Sequence, residues 1–123
     1  NIYKELKNEG FDCEENGDLQ HWAKQGVLMI NTAFTVEKGS AGSHTEIWFE
    51  FSRILVEYIS KKLGNSVHWL LFGKQAQEIM NGIFIGQFHL TSHPSPFSAH
   101  RGRRDIPAFL GSGVFRKVTN IKW

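Results

Sequence analysis

Three short apolar runs divide the chain: Val27–Thr32, Val67–Phe72 and a third from Phe84 to Leu90. Nearly continuous apolar runs of this length, bounded by turn residues, predict strands covered on both faces, as in a parallel sheet. Gly26 precedes the first run, Gly73 follows the second, and the third leads into His93. Between the first two, Phe51, Ile54, Leu55, Tyr58 and Ile59 recur at i, i+3, i+4, i+7 and i+8, with Trp48 extending the stripe upstream. That spacing predicts an amphipathic helix with Glu50, Arg53, Glu57, Ser60 and Lys61 on its outer face and Gly64-Asn65 at its end. A shorter helix is predicted from Lys74 to Met80, ended by Asn81-Gly82. At the start, Ile2, Tyr3 and Leu6 share the face of a helix that Gly10 closes. No N-cap precedes them, which predicts further sequence upstream or on another chain.

The order strand, helix, strand, helix, strand implies right-handed crossovers and a parallel α/β sheet with helices packed against it. A length of 123 residues fits one domain with a core that needs no disulfide. In such sheets the working groups gather beyond the carboxyl ends of the strands. The rule selects Asn31-Thr32, Gly73-Lys74 and Ser92-His93, one pair from each predicted strand.

Composition narrows the partners. No apolar run approaches the roughly 20 residues needed to cross a bilayer, so no membrane association is expected. Cys13 is the one cysteine and cannot form an internal disulfide, which makes a reducing compartment the default. Net charge is only +2, but it is unevenly spread. Glu9 to Asp18 carries five acidic residues and no basic one, whereas Arg101 to Trp123 carries six basic residues against Asp105 alone. A basic stretch of that kind favours phosphate-bearing partners. The histidines and Cys13 show no zinc spacing, no nucleophile-elbow pattern is present, and no glycine-rich nucleotide fingerprint occurs.

The residues at the strand ends suggest chemistry. Asn31 interrupts an apolar run. As a lone residue it reads first as a loop cap, while its amide, a donor and an acceptor in one plane, also suits the edge of a nucleobase. His93 precedes Pro94, which disfavours helical geometry and holds the imidazole on an extended mount suited to a developing oxyanion. Ser95 and Ser98 are small hydroxyl donors suited to phosphate oxygens. Phe97 between them either folds back onto the domain or wedges into a base stack. Lys74 adds a charge beside Gly73 where a helix begins.

With these residues in place the chain resembles uracil-DNA glycosylase of the main family. Trp22-Ala23-Lys24-Gln25-Gly26 through Asn31 is similar to the strand leading to that family's uracil-reading asparagine. His93-Pro94-Ser95-Pro96-Phe97-Ser98 with Arg101-Gly102 resembles its minor-groove intercalation loop. Leu70 to Gln77 is similar to the segment bearing its Gly-Ser loop, and Asn1 to Leu6 to the helix after its proline-rich loop. The resemblance implies a three-layer αβα fold with a central parallel sheet, of which residues 1–123 form the C-terminal part. It implies that Asn31 reads a flipped uracil and that His93 stabilises the departing uracil anion. Gly73, Lys74, Ser95, Ser98 and Arg101 would hold DNA, and Phe97 would fill the gap left by the flipped nucleotide. The reaction needs no metal or cofactor. The partner is uracil-containing DNA, single- or double-stranded, with an N-terminal half possible on a separate chain. An intracellular site at DNA is implied: bacterial or virus-infected cytoplasm, nucleus or mitochondrion.

The departures are specific. Phe97 stands where the family has leucine, and Gly73-Lys74 where it has Gly-Ser. Phe49 replaces the glutamate expected after Trp48, and the C-terminal helix is shortened before Ile121. The water-activating loop Gly-Gln-Asp-Pro-Tyr-His does not occur in these 123 residues. The alternative is therefore a non-catalytic DNA- or protein-binding remnant of the glycosylase fold. An unrelated α/β nucleotide-binding domain is disfavoured by the missing phosphate fingerprint.

Overall fold

A computed structural model describes residues 1–123. Six elements follow in chain order: helix α1 (Ile2–Asn8), helix α2 (Gln20–Lys24), helix α3 (Thr45–Leu63), strand β1 (His68–Phe72), helix α4 (Lys74–Ile79) and strand β2 (Gln87–Thr91). Short 3₁₀ turns occupy Gly64–Ser66 and Phe115–Lys117. The two strands pair in parallel, His68 opposite Gln87 and Phe72 opposite Thr91. The connection through α4 gives the predicted strand-helix-strand unit.

Side chains alternate across β1, and each face has its own core. Leu70 and Phe72 pack against the larger cluster, in which Leu6, Ala99, Phe109 and Val114 are fully buried. Phe72, Phe109, Phe115 and Trp123 meet edge to face at centroid separations of 4.9 to 6.2 Å, the preferred arrangement of aromatic rings. Leu71 on the opposite face joins Val56 of α3 and Ile79, Met80 and Ile83 around α4. Helices α1 and α2 thus lie with the first core and α3 and α4 with the second, so the sheet is the middle of three layers.

Buried carboxylates tie α1 to the C-terminal stretch. Both oxygens of Glu5, which has no exposed surface, accept backbone N–H bonds from Gly111 and Gly113 at 2.7 and 3.0 Å. Glu9 accepts from the N–H groups of Phe115 and Arg116 at 3.1 and 2.6 Å, and the Arg116 guanidinium returns a bond to the Glu9 carbonyl. Burial is the main reason that the Glu9 carboxyl titrates above its ordinary value, against the lowering effect of those two N–H donors.

Three predictions are corrected. Val27–Thr32 is not a paired strand. No backbone hydrogen bond reaches Leu28, Met29, Ile30 or Asn31, and Leu28 is 65% exposed. A strand exists only through its partner, and none of the residues 1–123 pairs with this segment. Helix α3 forms as predicted but turns a different face inward. Ser52, Val56 and Ser60 are its buried residues, while Phe51, Ile54 and Tyr58 are exposed. The small serines let the helix approach closely, Ser52 Oγ donating to the Thr32 carbonyl at 2.7 Å and Ser60 Oγ to that of Ile85 at 3.5 Å. The third strand also starts later than predicted, at Gln87, leaving Phe84 85% exposed.

Helix α2 carried no amphipathic signal of its own. Its end is a Schellman closure, with Val27 N–H on the Trp22 carbonyl and Gly26 N–H on that of Ala23. Gly26 sits there at φ +92°, which only glycine adopts cheaply, and so launches Val27 away from the helix.

Candidate nucleic-acid interface

The carboxyl ends of β1 and β2 meet at Gly73 and His93. Gly73 N–H bonds to the Thr91 carbonyl at 3.0 Å, and Gly73 holds φ +89°. A Cβ built on Gly73 would lie 2.9 Å from His93 Cβ, so the close approach of the two strand ends requires glycine.

The His93 ring is oriented by its own loop. Its Nδ1 accepts the Ser95 backbone N–H at 3.0 Å. A backbone N–H can only donate, so Nδ1 carries the lone pair and the ring proton sits on Nε2. His93 is exposed and its Nε2–H has no partner within the protein, leaving it free to donate to a ligand oxygen.

The loop beyond is a tight turn on a buried anchor. Ser98 and Ala99 N–H groups both bond to the Ser95 carbonyl. Ser92 Oγ donates to the Ser98 carbonyl at 2.8 Å and accepts the Phe109 N–H at 2.9 Å. Ala99 beneath is fully buried. Asn1 Nδ2 donates to the Pro94 carbonyl at 2.8 Å, tying the first residue to this turn. The scaffold therefore presents what remains: Phe97 projects with 86% of its surface exposed, and the Ser95 and Ser98 hydroxyls make no hydrogen bond within the protein. Phe97 therefore does not fold back onto the domain. Arg101 is exposed at the end of the turn, its N–H on the Ser98 carbonyl.

Lys74 is exposed and pairs with Glu78 one helical turn on, 3.6 Å away. Asn31 lies at the carboxyl end of the Val27–Thr32 segment. It is exposed and lines a cavity of about 530 Å³ between Val27–Thr32 and β1, whereas His93 does not line that cavity. The two ends are linked through Thr32, whose Oγ1 bonds to Gln75 Oε1 at 3.4 Å, two residues after Gly73.

Gln77 is a residue that the sequence reading missed. Its Nε2 donates to the Thr91 and Leu71 carbonyls at 2.9 and 3.3 Å, and its Oε1 accepts Arg103 Nη2 at 2.8 Å. One amide thus joins both strand ends and fixes an arginine above an open groove that also meets Lys74, Glu78 and Asn81. The available signal was an amide one helical turn after Gly73. No three His, Cys, Asp or Glu side chains group closely enough to hold a metal ion, and no helix is long and apolar enough to cross a membrane.

The chain has clear relatives. A family model described as the Uracil DNA glycosylase superfamily matches residues 1–114. A protein named uracil-DNA glycosylase in Azotobacter vinelandii is 41% identical over 126 residues, which cover 98% of this chain and 51% of that protein. One of the same name in Brevibacillus brevis is 43% identical, covering 98% and 52%. The crystal structure of a mimivirus UNG in complex with UGI superposes with a TM-score of 0.81 at 26% identity, covering 95% of this chain and 48% of the other. Residues 1–123 thus span about half the length of the relatives that they match.

Proposed function

Because the chain belongs to the uracil DNA glycosylase superfamily, we propose that it forms one half of a DNA-repair glycosylase that flips uracil out of DNA and hydrolyses its N-glycosidic bond. The observation that carries this reading is the His93 ring, with Nδ1 engaged by Ser95 N–H and Nε2–H directed outward as a donor. As the bond from C1′ to uracil N1 breaks, its electron pair passes into the base, and charge gathers on a carbonyl oxygen. A fixed donor at that oxygen acts most strongly where the charge is greatest, in the transition state. Water supplies hydroxide to C1′ and the proton that uracil finally carries. No metal or cofactor enters these steps.

Asn31 reads the hydrogen-bonding edge of the extruded base through its planar amide. Ser95 and Ser98 hydroxyls, free of internal partners, hold phosphate oxygens, and Gly73, Lys74 and Arg101 flank the same backbone path. Phe97 enters the vacated stack, its exposure being tolerable in a DNA-free protein and useful in a DNA complex. The partner is uracil-containing DNA, single- or double-stranded, at an intracellular site. A second reading, a non-catalytic DNA- or protein-binding module, draws on the same turn, since exposed Phe97 and the free Ser95 and Ser98 hydroxyls suit binding without excision.

Uracil release from a labelled oligonucleotide separates the two, measured with residues 1–123 and the complementary half of a relative in one assembly. His93→Ala is expected to lower excision by about 10²-fold, the loss typical of removing one oxyanion donor, with DNA binding largely retained. Unchanged excision in the variant refutes the role of His93. DNA binding with no excision by the unaltered assembly favours the module.

A further inference from the structure

The turn that follows the Phe97 loop holds an arginine in place without neutralising it. Arg103 and Ile106 exchange both backbone bonds, at 2.8 and 3.0 Å, around Arg104 and Asp105, the latter at φ +65°. A Cβ built on Gly102 would lie 2.9 Å from the Ala108 nitrogen, so the chain beside Arg103 is packed tightly. The Arg103 guanidinium reaches Gln77, whose Oε1 accepts Nη2 at 2.8 Å. Gln77 is held in turn through Nε2, which bonds to the Thr91 carbonyl that also accepts the Gly73 N–H. Arg103 is thereby tied, through one amide, to the strand ends beside His93.

Charge sets Arg103 apart from a merely structural arginine. Its partner is a neutral amide, and no carboxylate, Asp105 included, lies within ion-pair distance of it. A guanidinium is a planar fork of N–H donors, and only Nη2 is engaged here, so Nη1 and Nε keep the geometry and the charge for a phosphate. A carboxylate at position 77 would hold the guanidinium as well, but would cancel the charge that an anion needs. The open groove of about 480 Å³ that Arg103 borders is completed by Phe49, Lys74, Gln77, Glu78 and Asn81. Lys74 is already matched by Glu78 at 3.6 Å, which leaves Arg103 as the uncompensated cation there. Phe49, the one apolar residue of the groove, is 39% exposed and offers a surface on which an unpaired base stacks.

Resting on the DNA-binding reading above, we propose that Arg103, positioned by Gln77, grips a phosphate of the bound strand, and that the groove takes the base of that nucleotide against Phe49. The ligand is a nucleotide within a DNA strand, outside the place of the flipped base. Ser98, Arg101 and Arg103 follow one another along a single stretch of chain, so a backbone held by the Ser95 and Ser98 hydroxyls continues past Arg101 to Arg103. A free phosphate has no use for the aromatic neighbour, and a base alone has none for the cation. A nucleotide uses both.

The test measures binding of a labelled, uracil-free single-stranded oligonucleotide to residues 1–123 assembled with the complementary half of a relative, across a range of salt concentrations. Arg103→Gln is expected to weaken binding by about tenfold, the loss typical of one hydrogen bond to a charged group. It is also expected to lower the slope of log affinity against log salt by about 0.7, the share of one phosphate contact on a single strand. Arg103→Lys keeps the charge and is expected to retain the slope. Arg104→Gln removes an equal charge from the same turn, where Arg104 is exposed and outside every ion pair, and is expected to leave the slope unchanged. A lowered unfolding midpoint of Arg103→Gln with an unaltered slope makes the tie to Gln77 purely structural and overturns the grip. Equal slope changes for Arg103→Gln and Arg104→Gln reduce Arg103 to general surface charge and overturn it too. Inorganic phosphate that competes as well as unlabelled oligonucleotide assigns the groove to a free anion instead. A slope reduced only at Arg103, in an assembly that releases no uracil, supports the grip and counts against the glycosylase reading. Excision with an unaltered slope does the reverse, and an unaltered assembly that binds no DNA overturns both.

Discussion

At position 73 a single hydrogen atom is all that the gap toward His93 admits. The left-handed φ of +89° and the 2.9 Å approach to His93 Cβ both forbid a side chain. Gly73→Ala is expected to cost about 1–3 kcal/mol from backbone strain and, beyond that, to displace the imidazole. Excision by the assembled protein should fall at least about tenfold, since misplacing the donor proposed at His93 by about 1 Å can cost about 10²-fold. Urea unfolding and kinetics on the same variant separate the two effects, and kinetics that follow stability alone exclude the positional one. The strand-end rule exposed Gly73 and His93 in the sequence, because proline, glycine and histidine carry local geometric meaning. It could not expose Gln77, whose importance lies in carbonyls 14 and 6 residues away. Asn1 was equally illegible, since its partner is Pro94.

Among the elements, α1 acts as a clamp as well as filling the core with Leu6. Glu5 is fully buried and satisfies two backbone N–H groups, and removing it leaves both without that partner. Glu5→Ala is expected to destabilise the chain by about 2–6 kcal/mol, from about 1–3 for each of the two orphaned donors. Chemical denaturation measures it, and a loss under about 1 kcal/mol contradicts the clamp. The elements that the sequence predicted well are those whose partners lie within residues 1–123: α4, β1 and, with a shifted start, β2. Two of the corrections share one cause. Val27–Thr32 has strand composition without a neighbour, and α3 leaves Ile54 and Tyr58 largely exposed and Phe51 covered only in part, by Phe34 and Trp48. Periodicity reports what a segment can bury, while the partner decides what it does bury.

For the molecule as a whole, stability carries two opposed dependences on pH. Burial, with smaller contributions from His68 and Lys117, lowers the pKa of His89 below its usual 6.5. Its ring stacks on that of His68, with Nε2 3.0 Å from His68 Nδ1. Below pH 6.5 the unfolded chain binds this proton more readily than the folded one, so stability is lost as pH falls. Glu9 acts in the other direction. Its pKa lies above 4.5, so the folded state holds the proton longer and stability is lost as pH rises from there. His89→Phe is expected to remove the loss just below pH 6.5 and keep the one starting near 4.5. Unfolding midpoints across that range check it, and an unaltered profile rules out His89 as the source.

The bond from Asn1 to the Pro94 carbonyl has a practical consequence. It holds the start of α1 beside the turn that displays Phe97, so a fluorophore placed at exposed Lys4 of that helix becomes a local sensor. Oligonucleotide arriving at the turn would change its emission, and a dye at the far end of α3 would serve as the silent reference.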